Sequence, residues 1–68
     1  MLPAMNREAA LRELPHAYAV ALRLRDRGVD DAEIADVVGI EVSALSSHLH
    51  LAEAKLARVI EAGRKEQG

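Results

Sequence analysis

The run from Asp30 to Leu49, DDAEIADVVGIEVSALSSHL, constrains this chain more than any other stretch. It reads as two helices broken by a tight turn at Gly39. Asp30 suits a helix cap, and Glu33 follows three residues later, the spacing of a capping box. Ile34, Ala35, Val37 and Val38 then supply an apolar side. Gly39 comes next, where a helix commonly ends in a left-handed residue that glycine adopts cheaply. Ile40 and Val42 are expected to re-enter the core, and Leu45 and Leu49, four apart, begin the apolar stripe of a second helix. Ala35, four residues before Gly39, is small enough to let two helices cross closely.

The flanks extend this pattern. Residues 1–4 are expected to fray, with Pro3 near a helix start. Asn6 suits an N-cap for a short helix containing Ala9, Ala10 and Leu11. Leu14-Pro15 ends it, because a residue before proline avoids helical geometry. Pro15 fits the first turn of a second helix reaching about Asp26. Along it Tyr18, Ala21, Leu22 and Arg25 recur at helical spacing, with Ala17, Val20 and Leu24 widening the stripe. Gly28 fits the end of that helix, and Val29 should pack into the core. The last helix carries Leu45, Leu49, Ala52, Leu56 and Ile60 at steps of four, three, four and four. It is expected from about Ser43 to Ala62, with residues 63–68 as a solvated tail.

The expected architecture is an all-α, four-helix domain with a helix-turn-helix and a long last helix. It is a single domain over residues 1–68, ordered from about 5 to 62. Its expected core is Leu11, Leu14, Tyr18, Leu22, Val29, Ile34, Ala35, Val38, Ile40, Leu45, Leu49, Ala52 and Leu56. The hydrophobic residues are mostly Ala, Leu and Val, with Tyr18 the one aromatic, which favours helices over strands. There is no cysteine, and so no disulfide framework or thiolate metal site. No apolar run approaches the ~20 residues of a membrane span, and residues 1–5 lack the charged start of a signal peptide. The expected compartment is the cytoplasm, with no membrane partner.

The order of elements and the motifs within them resemble region 4 of bacterial sigma factors, especially the extracytoplasmic-function class. Leu14-Pro15 with Ala19, Val20 and Leu22 is similar to that family's first conserved helix. Glu33-Ile34-Ala35 with Val38-Gly39-Ile40 resembles its turn. Leu45, Ser47, Leu49, His50, Ala52 and Leu56 fall on its last helix. The match spans about Leu11 to Ile60 without a gap. The LuxR-type DNA-binding domain is a close second, fitted by Ser47-His48-Leu49 and Ala54-Lys55-Leu56. The resemblance implies a winged-helix-like, sigma region 4-type three-helix core and a DNA-binding module of a bacterial transcription factor. It implies double-stranded DNA as ligand, with RNA polymerase or another transcription protein as partner.

The second helix of a helix-turn-helix commonly reads a major groove. Its candidate contacts here are Ser43, Ala44, Ser46, Ser47, His48 and His50. Serine and histidine can hydrogen-bond base edges or phosphates, and alanine can meet a thymine methyl. The same residues equally describe the solvent face of an amphipathic helix. Arg23, Arg25 and Arg27 are candidate phosphate contacts, or simply cations complementing a helix end. Arg58, Arg64 and Lys65 belong to a soluble tail, with added phosphate contacts the lesser reading. Charge is segregated: residues 1–27 carry five arginines against three acids, whereas residues 28–56 carry six acids against Lys55. Ser46, His48, Leu51 and Glu53 fall where the resembling family usually carries cations. Binding is therefore expected to be weak and salt-sensitive, needing a dimer, polymerase or a larger parent protein.

An alternative function is protein contact or homodimerisation through a degenerate helix-turn-helix. Leu51 lies off the core stripe, and with Ala54, Lys55 and Val59 it makes a candidate partner surface. Catalysis is not expected. His48 and His50, two apart on a helix, point in different directions and cannot chelate together. His50 and Glu53 are only two ligands, short of a metal site. Ser47, His50 and Glu53 share one helix without a pocket or oxyanion hole. No cofactor and no metal is expected.

Overall fold

A computed structural model describes the backbone of residues 6–67 and the side chains of residues 6–64. Its elements are α1 (Arg7–Leu11), α2 (His16–Asp26), α3 (Asp31–Val38) and α4 (Val42–Gln67). Among the described residues the structure is all-helical, with no strand, and no helix is long and apolar enough to cross a membrane. The expectation of fraying at residues 1–4, with Pro3 near a helix start, lies outside the described residues.

Local chemistry sets the boundaries. The Asn6 side chain accepts from the Ala9 N–H at 2.7 Å and caps α1. Pro15, in extended geometry, stands just outside α2 as its N-cap rather than within its first turn. α2 closes with paired backbone bonds: Gly28 N–H donates to the Arg25 carbonyl at 2.9 Å, and Val29 N–H to the Leu24 carbonyl at 3.0 Å. Gly28 is left-handed here, and Val29 and Leu24 both pack on the core, completing a Schellman ending. Asp30 caps α3 by accepting from the Ala32 N–H at 3.1 Å, one residue earlier than the Glu33 N–H that a capping box would use.

Gly39 turns the chain from α3 into α4. Its φ is +85°, and the Ala35 carbonyl accepts from both Gly39 N–H at 2.8 Å and Ile40 N–H at 3.0 Å. α4 then runs 26 residues, about 39 Å at 1.5 Å per residue, which sets the 41 Å long axis of the molecule. It passes Gly63, where the sequence reading placed its end. Glycine costs about 1 kcal/mol there, but Glu61, Ala62, Arg64, Lys65 and Gln67 are good helix formers. A Glu61–Arg64 pair at 4.0 Å also spans the glycine.

The core lies where α2, α3 and α4 meet, with α1 packed on α4. Leu11, Leu22, Ile34, Leu45 and Leu56 are its large, fully buried side chains. Leu14, Ala35, Leu49 and Ala52 are buried as expected. Tyr18, Val29, Val38 and Ile40 are only partly buried and pack around its edge. Ala10, Ala19 and Ala21 are buried as well, and small residues of this kind let helices approach closely. Two further expectations are corrected. Val37 is 63% exposed, because inward-facing Ile34, Ala35 and Val38 leave it on the flank of α3. Val42 is 55% exposed, opening α4 one turn before the buried stripe begins at Leu45.

A Cβ at Gly39 would meet nothing within 4 Å, so substitution there tests backbone strain alone. Gly39→Ala is expected to cost about 1–2 kcal/mol, and Gly39→Asn less, since asparagine tolerates left-handed geometry. Thermal melts by circular dichroism check this at about 4–8 °C per kcal/mol. Leu45→Ala, by contrast, leaves a cavity and is expected to cost about 2–5 kcal/mol.

Candidate functional site

At about 100° per residue, α4 divides its surface into flanks. Leu45, Leu49, Ala52 and Leu56 face inward. Ser46, His50 and Glu53 lie to one side, His48 and Lys55 to the other. Ser43, Ser47 and Leu51 fall on the outward arc between them. Ser43, Ala44, Ser46, Ser47 and His50 are all exposed.

His48 is placed differently from the other candidates. Its ring stacks on Tyr18 of α2, with centroids 4.6 Å apart and planes 24° from parallel. Its Nε2 is 3.2 Å from the Ala17 carbonyl, close enough to donate in the tautomer that carries the proton there. Lys55 brings its ammonium to 5.5 Å from the centre of the same tyrosine ring, within cation–π range. Half-buried His48 and exposed Lys55 thus join α4 to α2 through Tyr18.

The partner-surface candidates also separate. Leu51 is 50% exposed, and Ala54 is exposed near it. Val59 is partly buried against the core and so belongs to the inner packing rather than to an outward patch.

The arginines are drawn into a charged belt across α1, α2 and α4. Arg23 meets Glu8 of α1 through Nη2 at 2.9 Å and Nε at 3.2 Å. Arg7 meets Asp26 side-on, Nε to Oδ2 at 2.9 Å and Nη2 to Oδ1 at 3.2 Å. That hydrogen bond to Asp26 is the main reason the Arg7 pKa rises above its ordinary value, so the group stays charged throughout the working range. Glu53 Oε2 then lies 3.6 Å from Arg7 Nη2 and 3.9 Å from Arg25 Nη1. Side chains in these pairs are roughly a third to a half exposed, so each pair contributes about 0.2–1 kcal/mol. Arg27 is exposed beside Arg7, Glu8, Leu11, Arg23 and Asp26 in one groove.

A second groove brings three of the candidates, Arg25, Ser46 and His50, together. Arg25 at the end of α2 and Asp31 at the start of α3 line it with Ser46, Leu49, His50 and Glu53 of α4. The groove can donate hydrogen bonds to an anion from Arg25, Ser46 and His50. It also holds two carboxylates that oppose one. Among the described residues no group of three or more His, Cys, Asp or Glu is placed to hold a metal.

Sequence reasoning did not single out Arg7, Glu8 or Asp26, nor did it assign Glu53 to the arginines. Their partners lie 15 to 19 residues away for the hydrogen-bonded pairs, so no local spacing marks them. Comparison with protein-family models, curated proteins and solved structures finds no match to this chain.

His48→Ala removes a stacked ring and the contact with the Ala17 carbonyl. It is expected to lower the unfolding free energy by about 1–2 kcal/mol. Urea titration followed by circular dichroism reads the loss as a lower midpoint with an unchanged slope.

Proposed function

We propose that this chain is a DNA-binding module of bacterial transcription, built on a sigma region 4-like helix-turn-helix. In this reading α3 and α4 are the two helices of the motif and the left-handed Gly39 is its turn. The N-terminal half of α4 enters a major groove. The observation that carries the reading is the groove in which Arg25 stands beside Ser46 and His50, next to the exposed serines of α4.

The chemistry divides between specificity and grip. Ser43, Ser46, Ser47 and His50 offer donors and acceptors to base edges, and Ala44 offers a methyl contact. Arg25 and Arg27 supply phosphate contacts from the end of α2. His48 serves this arrangement indirectly, holding α4 against α2 through Tyr18. Five exposed acids, Asp30, Asp31, Glu33, Asp36 and Glu41, lie on α3 and the segments flanking it. They repel the duplex, so affinity is low without a second copy, RNA polymerase or a larger parent chain to add cations.

Protein contact is the second reading, favoured by Leu51 at 50% exposure on the outward arc of α4. Leu51 lies one turn beyond Ser47 on the same outward arc, so a partner seated there borders the serine face while leaving the Arg25 groove open.

Fluorescence anisotropy with a mixed-sequence duplex tests the DNA reading at low and high salt. The expected result is weak binding whose log affinity falls linearly with log salt, by about 0.9 per phosphate engaged. Arg25→Ala is expected to weaken binding uniformly across sequences and to lower that slope by about one contact. His50→Ala is expected to change the preference among sequences instead. No binding at low salt, together with a dimer in sedimentation, would favour protein contact. Leu51→Arg distinguishes the two readings further, raising DNA affinity without altering the oligomeric state if the surface has no partner.

A further inference from the structure

We propose that Glu53 is an internal substitute for a DNA phosphate, holding Arg25 until a phosphate displaces it. The inference rests on the DNA-binding reading above and concerns how the same groove is controlled.

A guanidinium pairs with carboxylate and phosphate oxygens by the same charge-assisted hydrogen bonds. Arg25 lies in the groove with Ser46 and His50, and the oxyanion it meets there is Glu53. One carboxylate oxygen, Oε2, serves both Arg25 at 3.9 Å and Arg7 at 3.6 Å. Arg7 is itself fixed by its side-on pair with Asp26. The Arg7–Asp26 pair therefore anchors Glu53, and Glu53 in turn holds the more loosely bound Arg25.

Geometry makes this contact displaceable. The Arg25–Glu53 separation is near the outer limit of an ion pair, and the two side chains are 55% and 44% exposed. Exposed pairs of this kind are weak and screened by salt. A phosphodiester approaching Arg25 therefore meets a competitor that yields. Once displaced, Glu53 remains in the groove with Asp31 and repels the incoming charge. Removing the Glu53 charge thus acts twice, releasing Arg25 and ending a repulsion, with no side chain needing to move from the core.

The test compares the full chain with Glu53→Gln and with Glu61→Gln. Glu61 lies two turns further along α4, 4.0 Å from Arg64, so its substitution removes the same formal charge away from the groove. Anisotropy with a duplex at low salt is expected to show E53Q binding about two- to fivefold tighter than wild type, and E61Q close to wild type. The E53Q gain should shrink as salt rises. A second arm follows the Arg25 side-chain Nε–H resonance while inorganic phosphate is added. It should shift at lower phosphate concentration in E53Q.

Equal gains in E53Q and E61Q would assign the effect to net charge and overturn the proposal. So would unchanged or weaker duplex binding by E53Q when wild type binds. If neither protein binds duplex but phosphate moves Arg25 earlier in E53Q, the Glu53 contact stands and the DNA reading falls. If neither ligand registers, both fall. Circular dichroism checks helicity, and should E53Q lose it, E53A carries the same comparison, alanine being the strongest helix former.

Discussion

The fold depends on close packing of α2 against α3 and α4. Ala19, Ala21 and Leu22 are buried on α2, and the alanines let neighbouring helices come near enough for Ile34 and Leu45 to reach Leu22's surroundings. With so short a chain, burial of a few leucines and one isoleucine supplies most of the apolar stabilisation, about 1.5–3 kcal/mol for each large side chain. Everything functional hangs on that junction. It fixes the end of α2 beside α4, and so places Arg25 in one groove with Ser46 and His50.

Polar contacts then refine what the core has placed. Tyr18 lies between α2 and α4, stacked by His48 and approached by Lys55. On the other side, Arg7, Asp26, Glu53 and Arg25 link α1, α2 and α4. Neither cluster is deeply buried, so both contribute modestly to stability. Their larger effect is on which charges are presented outward. Several arginines of the basic N-terminal half are engaged by carboxylates of the same chain, which lowers the positive potential available to a polyanion. In the proposed DNA-binding reading, affinity is then a matter of exchange between internal and external anions.

Local signals account for most of what was legible in the sequence. Asn6, Gly28, Asp30 and Gly39 each mark a helix boundary through a side chain or a positive φ, and each does so in the structure. The stripe Leu45, Leu49, Ala52, Leu56 is buried as its spacing implies. What was not legible needed three dimensions. Val37 and Val42 are apolar but lie off the packed faces, which hydropathy alone does not distinguish. Helix persistence past Gly63 reflects strong helix formers around one weak residue. In the candidate site, the exposed serines of α4 were readable from periodicity. The stacking of His48 on Tyr18 and the Glu53–arginine contacts join residues far apart in the chain, and no sequence spacing encodes them.

The central claim is that the Ser46–His50 flank of α4, with Arg25, meets the duplex while the Tyr18–His48 flank on the other side of the helix stays clear of it. Nuclear magnetic resonance at low salt, following side chains as duplex is added, tests it most directly. The expected result is progressive shifts of the His50 ring and the Arg25 Nε–H, with the Tyr18 ring unmoved. Shifts confined to Leu51, or none at any duplex concentration, would contradict it.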